Sequence, residues 1–250
     1  MSKRKGPAHP PPTAEAVAAA VASLRELLER TPVLMLHDAD APSVTTVIAG
    51  APIVGSWWSH PQGSLVFQVL QQIEDEVAWP KLVRGKVTLV HRALWPALIA
   101  VGRSEEPWQL GGLPREAREL FATVKESGHA RTDRLRETGD GAAIGRAVDQ
   151  LERRLLVMST QVHTTSGRHA RELSTWMRWQ QRVGLAGVSL PSSAEARAIL
   201  EEEVAAWPDG SAAPARPTRC CHRIQVDSSR ACRPVVVWTC VLMTSSRRSS

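Results

Sequence analysis

The sequence predicts a mainly α protein with small β-hairpins, an α+β fold, on three observations. Apolar residues recur at helical spacing along most of the chain. The run 79–91 breaks that period with β-branched residues around Arg84-Gly85. The order helix, short helix, helix, hairpin, helix then occurs twice.

Residues 14–30 place Val17, Val21, Leu24 and Leu28 on one face, with Thr13 as N-cap and Pro32 as stop. A short helix is expected at 43–49, between Pro42 and Gly50. Residues 61–77 carry the clearest amphipathic stripe: Val66, Val69, Leu70, Ile73 and Val77. Two short strands over 79–91 and a helix at 92–102 follow, with Pro96 in its first turn, where its missing N–H costs nothing. Three helices followed by a two-stranded wing is the winged-helix pattern.

The second pass starts with a helix at 114–127, turning Ala117, Leu120, Phe121 and Val124 inward between Pro114 and Gly128. A short helix at 131–136 and the Gly139-Asp140-Gly141 turn lead to a helix at 143–155, with Ile144, Val148, Leu151 and Leu155 inward. Leu156–Met158 and Gln161–His163 read as wing strands before the loop Thr164–Gly167, and 170–183 as a helix. The Ser192/Glu195 capping box opens a docking helix over 193–207. The expected division is a disordered lead (1–13), two tandem winged-helix-like units (14–109 and 110–190), the docking helix (191–207) and a tail (208–250). The tail is rich in Arg, Ser, Pro and Cys, and reads as disordered or as translated in a shifted frame.

Charge is unevenly spread over the 250 residues. The formal net charge is +6 and the pI about 9.7, but Lys3, Arg4 and Lys5 in the lead and seven Arg against Asp227 in 211–250 exceed that sum. The body is therefore acidic, and only 110–182 has a local basic excess. Arg outnumbers Lys 26 to 5, a bias typical of a GC-rich gene rather than of phosphate binding. A 43% hydrophobic content excludes whole-chain disorder. No apolar run reaches the ~20 residues of a membrane helix, and no secretory signal is expected. All four cysteines lie at 220–240, which fits a reducing cytoplasm better than a disulfide framework.

The helix at 143–155 carries the sharpest candidate site. Arg146, Gln150 and Arg153 share the face opposite its apolar stripe, where side chains of a winged helix read base edges. Arg154, Arg168, His169 and Arg171 are placed to meet phosphates, and Lys81, Arg84, Lys86, His91 and Arg92 fit either a basic first wing or the edge protection that surface strands commonly carry. Exposed helix faces are commonly charged, and Asp149 and Glu152 dilute this one. Trp57, Trp58 and His60 are a possible base pocket, against the plainer reading of a hydrophobic staple with Ser59 as cap. His37, Asp38 and Asp40 fit a turn with an Asp cap better than a metal site, and Cys220, Cys221, His222, Cys232 and Cys240 lack a C-x-x-C pair, so neither metal nor cofactor is expected. The Walker A, G-x-S-x-G and G-x-G-x-x-G signatures are missing, which leaves enzymatic activity without a visible motif.

Two stretches carry a family resemblance: Gly55-Ser-Trp-Trp-Ser-His-Pro61 through Gly85-Lys-Val-Thr-Leu-Val-His-Arg-Ala-Leu-Trp-Pro-Ala-Leu98, and Leu151-Glu-Arg-Arg-Leu-Leu156 through Val162-His-Thr-Thr-Ser-Gly-Arg-His169. Over roughly 33–182 the chain resembles a bacterial winged-helix family loosely related to the alkylpurine DNA glycosylases. The resemblance implies tandem winged helices and duplex DNA as partner. In those glycosylases a β-barrel is added and a Gln-containing pair acts in the DNA-binding cleft. The Gln-x-Gln or Gln-x-Asp pair has no match here, since Gln71-Gln72 sits on a helix, so no catalytic residue is carried over. Three functions stay open: a winged-helix DNA-binding protein tied to DNA repair, a glycosylase-like enzyme acting on damaged bases, and a protein-interaction scaffold using the acidic 193–207 helix.

Overall fold

A computed structural model describes residues 10–163 and 169–207. Helix α1 (Ala14–Arg30) is capped by the Thr13 hydroxyl and buries Val17, Val21, Leu24 and Leu28. Strand β1 (Val33–Met35), α2 (Val44–Ala49), α3 (Gly63–Gln72), β2 (Val77–Ala78) and β3 (Thr88–His91) complete the first half. Helices α4 (Trp95–Arg103) and α5 (Pro107–Leu110) lead to the second. There α6 (Arg115–Ser127), β4 (His129–Arg131), α7 (Thr132–Thr138), α8 (Gly141–Arg153), β5 (Met158–His163) and β6 (His169–Ser174) follow in the same order. Helices α9 (Trp176–Arg182) and α10 (Ser193–Ala205) end the described chain. The fold is mainly helical with small antiparallel sheets, as expected. Among the described residues, no helix is long and apolar enough to cross a membrane.

The halves repeat in topology as well as in order. Each sheet has three antiparallel strands with the last strand in the middle: β1-β3-β2 and β4-β6-β5. Val90 stands between Val33 and Ala78, and Leu173 between Ala130 and Ser159. Both central residues are fully buried, Leu173 in the core of the second half and Val90 in a core that both halves build.

The structure moves several expected elements. Residues 79–87 are a loop with one bridge between Val83 and Lys86, and β3 pairs instead with β1 and β2. The amphipathic run 61–77 is a shorter helix, a 3-10 turn at Glu74–Glu76 and then β2. Residues 170–174 form a strand rather than a helix, since they pair with 158–162 and Thr175 caps α9 only afterwards. The expected break at 109/110 falls inside α5 and that at 190/191 between α9 and α10, both outside the sheets. The tail from 208 lies outside the described residues, as do its cysteines.

A shared core joins the halves. Val33, Met35, Val90, Leu98 and Ile99 pack with Leu155, Trp176, Trp179 and Leu200. Trp176 is 2% exposed and donates its indole N–H to Leu155 O at 2.6 Å. Gly102 lies flat against that indole, where a Cβ would overlap the ring. Helix α10 docks on α4 through Ala196, Leu200 and Val204, with its Ser192/Glu195 capping box formed, and Trp207 donates to Val33 O at 2.9 Å. Its apolar face is thus used within the chain.

Candidate nucleic-acid interface

Helix α8 is built amphipathic. Asp140 caps it by accepting from the Ala142 N–H, and Ala147, Val148 and Leu151 are buried. The opposite face turns out Arg146, Asp149, Gln150 and Arg153. Arg146 is exposed, and with Gln150 it borders a shallow groove against Pro114 and Glu116 beside α6.

The C-terminal half of that face is covered by loop 79–87 of the first half. Lys81 Nζ lies 2.5 Å from Asp149 Oδ1 and 2.8 Å from Glu152 Oε2, and Arg153 Nε holds the other Asp149 oxygen at 2.7 Å. At the loop's tip Arg84 (φ 52°) and Gly85 (φ 65°) are both left-handed, the geometry of a I′-type turn. Gly85 lies so close to Arg153 that a Cβ would come within 3.0 Å of its Nη1. Arg84 and Lys86 are exposed, and Lys86 Nζ is 2.8 Å from the buried Asp38 carboxylate. Burial would raise the Asp38 pKa, but the Lys86 ammonium and the Asp40 N–H hold the carboxyl below its ordinary range. Asp149 follows the same pattern: burial pushes it up, and Lys81 and then Arg153 bring it below the usual value.

Glu152 is only 6% exposed and sits at the centre of this joint. It receives Lys81, the Ser159 hydroxyl and Arg171 Nη1, the last at 2.9 Å. A buried carboxylate with three donors is compensated, and these donors come from both halves.

The expected site residues therefore divide. Arg146, Gln150 and Arg153 share one face, and the loop of Arg84 and Lys86 meets it at Arg153 through Gly85. Arg171 is half-exposed beside them but paired with Glu152. His169 is exposed on the outer end of β6 and bonds the Gln161 amide. Arg168 lies outside the described residues. Arg154 is a correction: it is buried, and its Nη1 donates to Gln109 O and Gly111 O, tying α5 to the end of α8. Burial lowers its pKa.

Trp57, Trp58 and His60 are not among the residues that line the groove beside α8. Trp57 is buried under α3, whereas Trp58 is 63% exposed on top of it. His60 Nδ1 accepts the Gln62 N–H at 3.2 Å. Ser59 is not the cap of α3, since that helix starts at Gly63 without a side-chain cap and the Ser59 hydroxyl donates to Ser56 O. His37 bonds Thr45 Oγ1 at 2.9 Å and Gly55 O at 3.0 Å, and Asp38 closes a turn onto the Asp40 N–H. Among the described residues no group of His, Cys, Asp or Glu is arranged to hold a metal.

Reading the sequence did not single out the outer face of α3, which presents Ser64, Phe67, Gln68 and Gln71. Its signal was visible all the same, because the helix has no charged residue.

The model of a protein family described as AlkZ related matches residues 23–207. No curated protein and no solved structure matches the chain.

Proposed function

Because the chain belongs to the AlkZ-related family, we propose that it is a cytoplasmic DNA-binding protein of DNA repair. In this reading it consists of two winged-helix units and grips duplex DNA along the surface shared by loop 79–87 and α8. One observation carries it: the Lys81–Asp149 ion pair and the seat of Gly85 on Arg153 bring the loop that carries Arg84 and Lys86 onto the C-terminal end of the α8 face that also carries Arg146. The repeated helix-strand-helix-helix-strand-strand order, with the same sheet order in both halves, supports the winged-helix reading. Within this surface Arg153 and Arg171 pair with Asp149 and Glu152 of their own half, and of the acids of 195–203 Glu195 closes the α10 cap and Glu201 pairs with Arg197.

Affinity for duplex DNA measured against salt is the test. Arg84→Ala, Arg146→Ala and Arg153→Ala each remove a cation that would neutralise one phosphate. Each should lower the slope of log affinity on log salt by about 1. Binding that ignores salt, or a triple variant that binds like the parent, refutes the reading. The resemblance to alkylpurine DNA glycosylases supports a second reading, excision of a damaged base. Release of free base from alkylated duplex DNA decides it.

A further inference from the structure

Among the described helices of eight or more residues, α3 alone has no charged side chain. An aromatic pair stands at its start. Trp58 stacks on the buried Trp57 with ring centroids 4.0 Å apart and planes at 25°, and Phe67 flanks it at 5.6 Å. Phe67 is 42% exposed, the indole of Trp58 still more so. Gly63 seats this turn on the helix, where a Cβ would come within 2.6 Å of Trp57 O. The indole is therefore fixed at the surface before any ligand arrives, and a stacking partner would meet little ordering cost.

The aromatic pair is also joined to the cationic loop. His37 Nε2 bonds Gly55 O at 3.0 Å, two residues ahead of Trp57, and the next residue, Asp38, holds Lys86. One short connection thus ties an exposed indole to the exposed cations Lys86 and Arg84. A flat π-surface, with Gln68 and Gln71 on the same outer face of α3 as Phe67 and with cations at the far end of that connection, matches a base and its phosphate better than an apolar peptide.

We propose that Trp58 and Phe67 form a stacking shelf for one unpaired nucleobase. The substrate class is then duplex DNA that carries an extruded or bulged base, with the strand's phosphates held at Arg84 and Lys86. This rests on the DNA-binding reading above and sharpens it. The test compares a labelled, fully paired duplex with the same duplex carrying one bulged base, by fluorescence anisotropy at fixed salt. The protein should bind the bulged DNA about tenfold more tightly. Trp58→Ala should bring that ratio close to one, and Trp58→Phe, which keeps a ring, should retain most of it. Arg153→Ala should weaken both DNAs in parallel.

Equal binding of both DNAs by the parent overturns the shelf and leaves the DNA-binding reading standing. A bulge preference that survives in a folded Trp58→Ala also overturns it. Failure to bind either DNA removes both. A change in self-association of Trp58→Ala in sedimentation, with the bulge preference intact, would assign the patch to a second copy of the chain.

Discussion

Helices α3 and α8 hold the same place in the two halves, third helix before a pair of strands, yet they carry opposite surfaces. On α8 the outer face is charged, and its acids are consumed by a lysine from the other half. On α3 the outer face is amide and aromatic, and its indole is left exposed. The shared order fixes which helix lies under the last two strands, because both must cover a middle strand. It does not fix what the outer face does. Lys81 of the first half adds a cation to Glu152 and Asp149 of the second, so the joint is part of the candidate interface rather than a linker beside it.

The largest test of this dependence is the shared core. Trp176→Ala removes a buried indole from the seam between the halves and should cost about 3–5 kcal/mol in chemical denaturation. Gly102→Ala should destabilise through the reverse fault, since its methyl would enter the space of that ring. Halves that unfold in separate transitions, only one of them shifted by Trp176→Ala, would break the comparison. Next comes Glu152→Ala, which strips the shared acceptor from Lys81, Ser159 and Arg171. A drop of about 2–4 kcal/mol is expected. Lys81→Ala should cost less, about 1 kcal/mol, because Arg171 still holds Glu152 and Arg153 still holds Asp149. If Lys81→Ala costs more than Glu152→Ala, the carboxylate is not the centre of the joint.

Most helices were legible because their apolar residues keep a strict period: Val17 to Leu28 in α1 and Ala117 to Val124 in α6 are buried as the spacing requires. The three-residue strands β1 and β4 were not, since three residues show no period and their partners lie some 40–60 positions away. The 170–174 strand was hidden because Leu173 and Trp176 also suit a helical stripe, and only pairing with β5 decides between them. At the site, the grouping of Arg146 and Arg153 on one face followed from helical geometry alone. The fate of Arg154 did not, because one residue past the helix end the chain turns and carries the guanidinium inward. Nothing local to Asp149 or Glu152 points to Lys81, whose place depends on how the halves pack.

Acid should produce the smallest and most local effect. Asp38 and Asp149 both titrate below the ordinary carboxyl value of 3.8, burial being outweighed by Lys86 in one case and by Lys81 with Arg153 in the other. A carboxyl whose folded pKa is depressed contributes stability that is complete above its unfolded pKa and is lost as pH falls through the folded one. The contribution of both ion pairs should therefore be intact at neutral pH and decline below about pH 4. Asp149→Asn leaves Lys81 only the Glu152 carboxylate and removes the titrating group at 149, so its stability should fall less steeply than the parent's across that window. The slope of Asp38→Asn should flatten as well, while Glu152 still holds Lys81 to α8. Parallel slopes for the parent and Asp149→Asn would mean that Lys81 does not pair with Asp149 in solution, and the link between the halves would then rest on Glu152 alone.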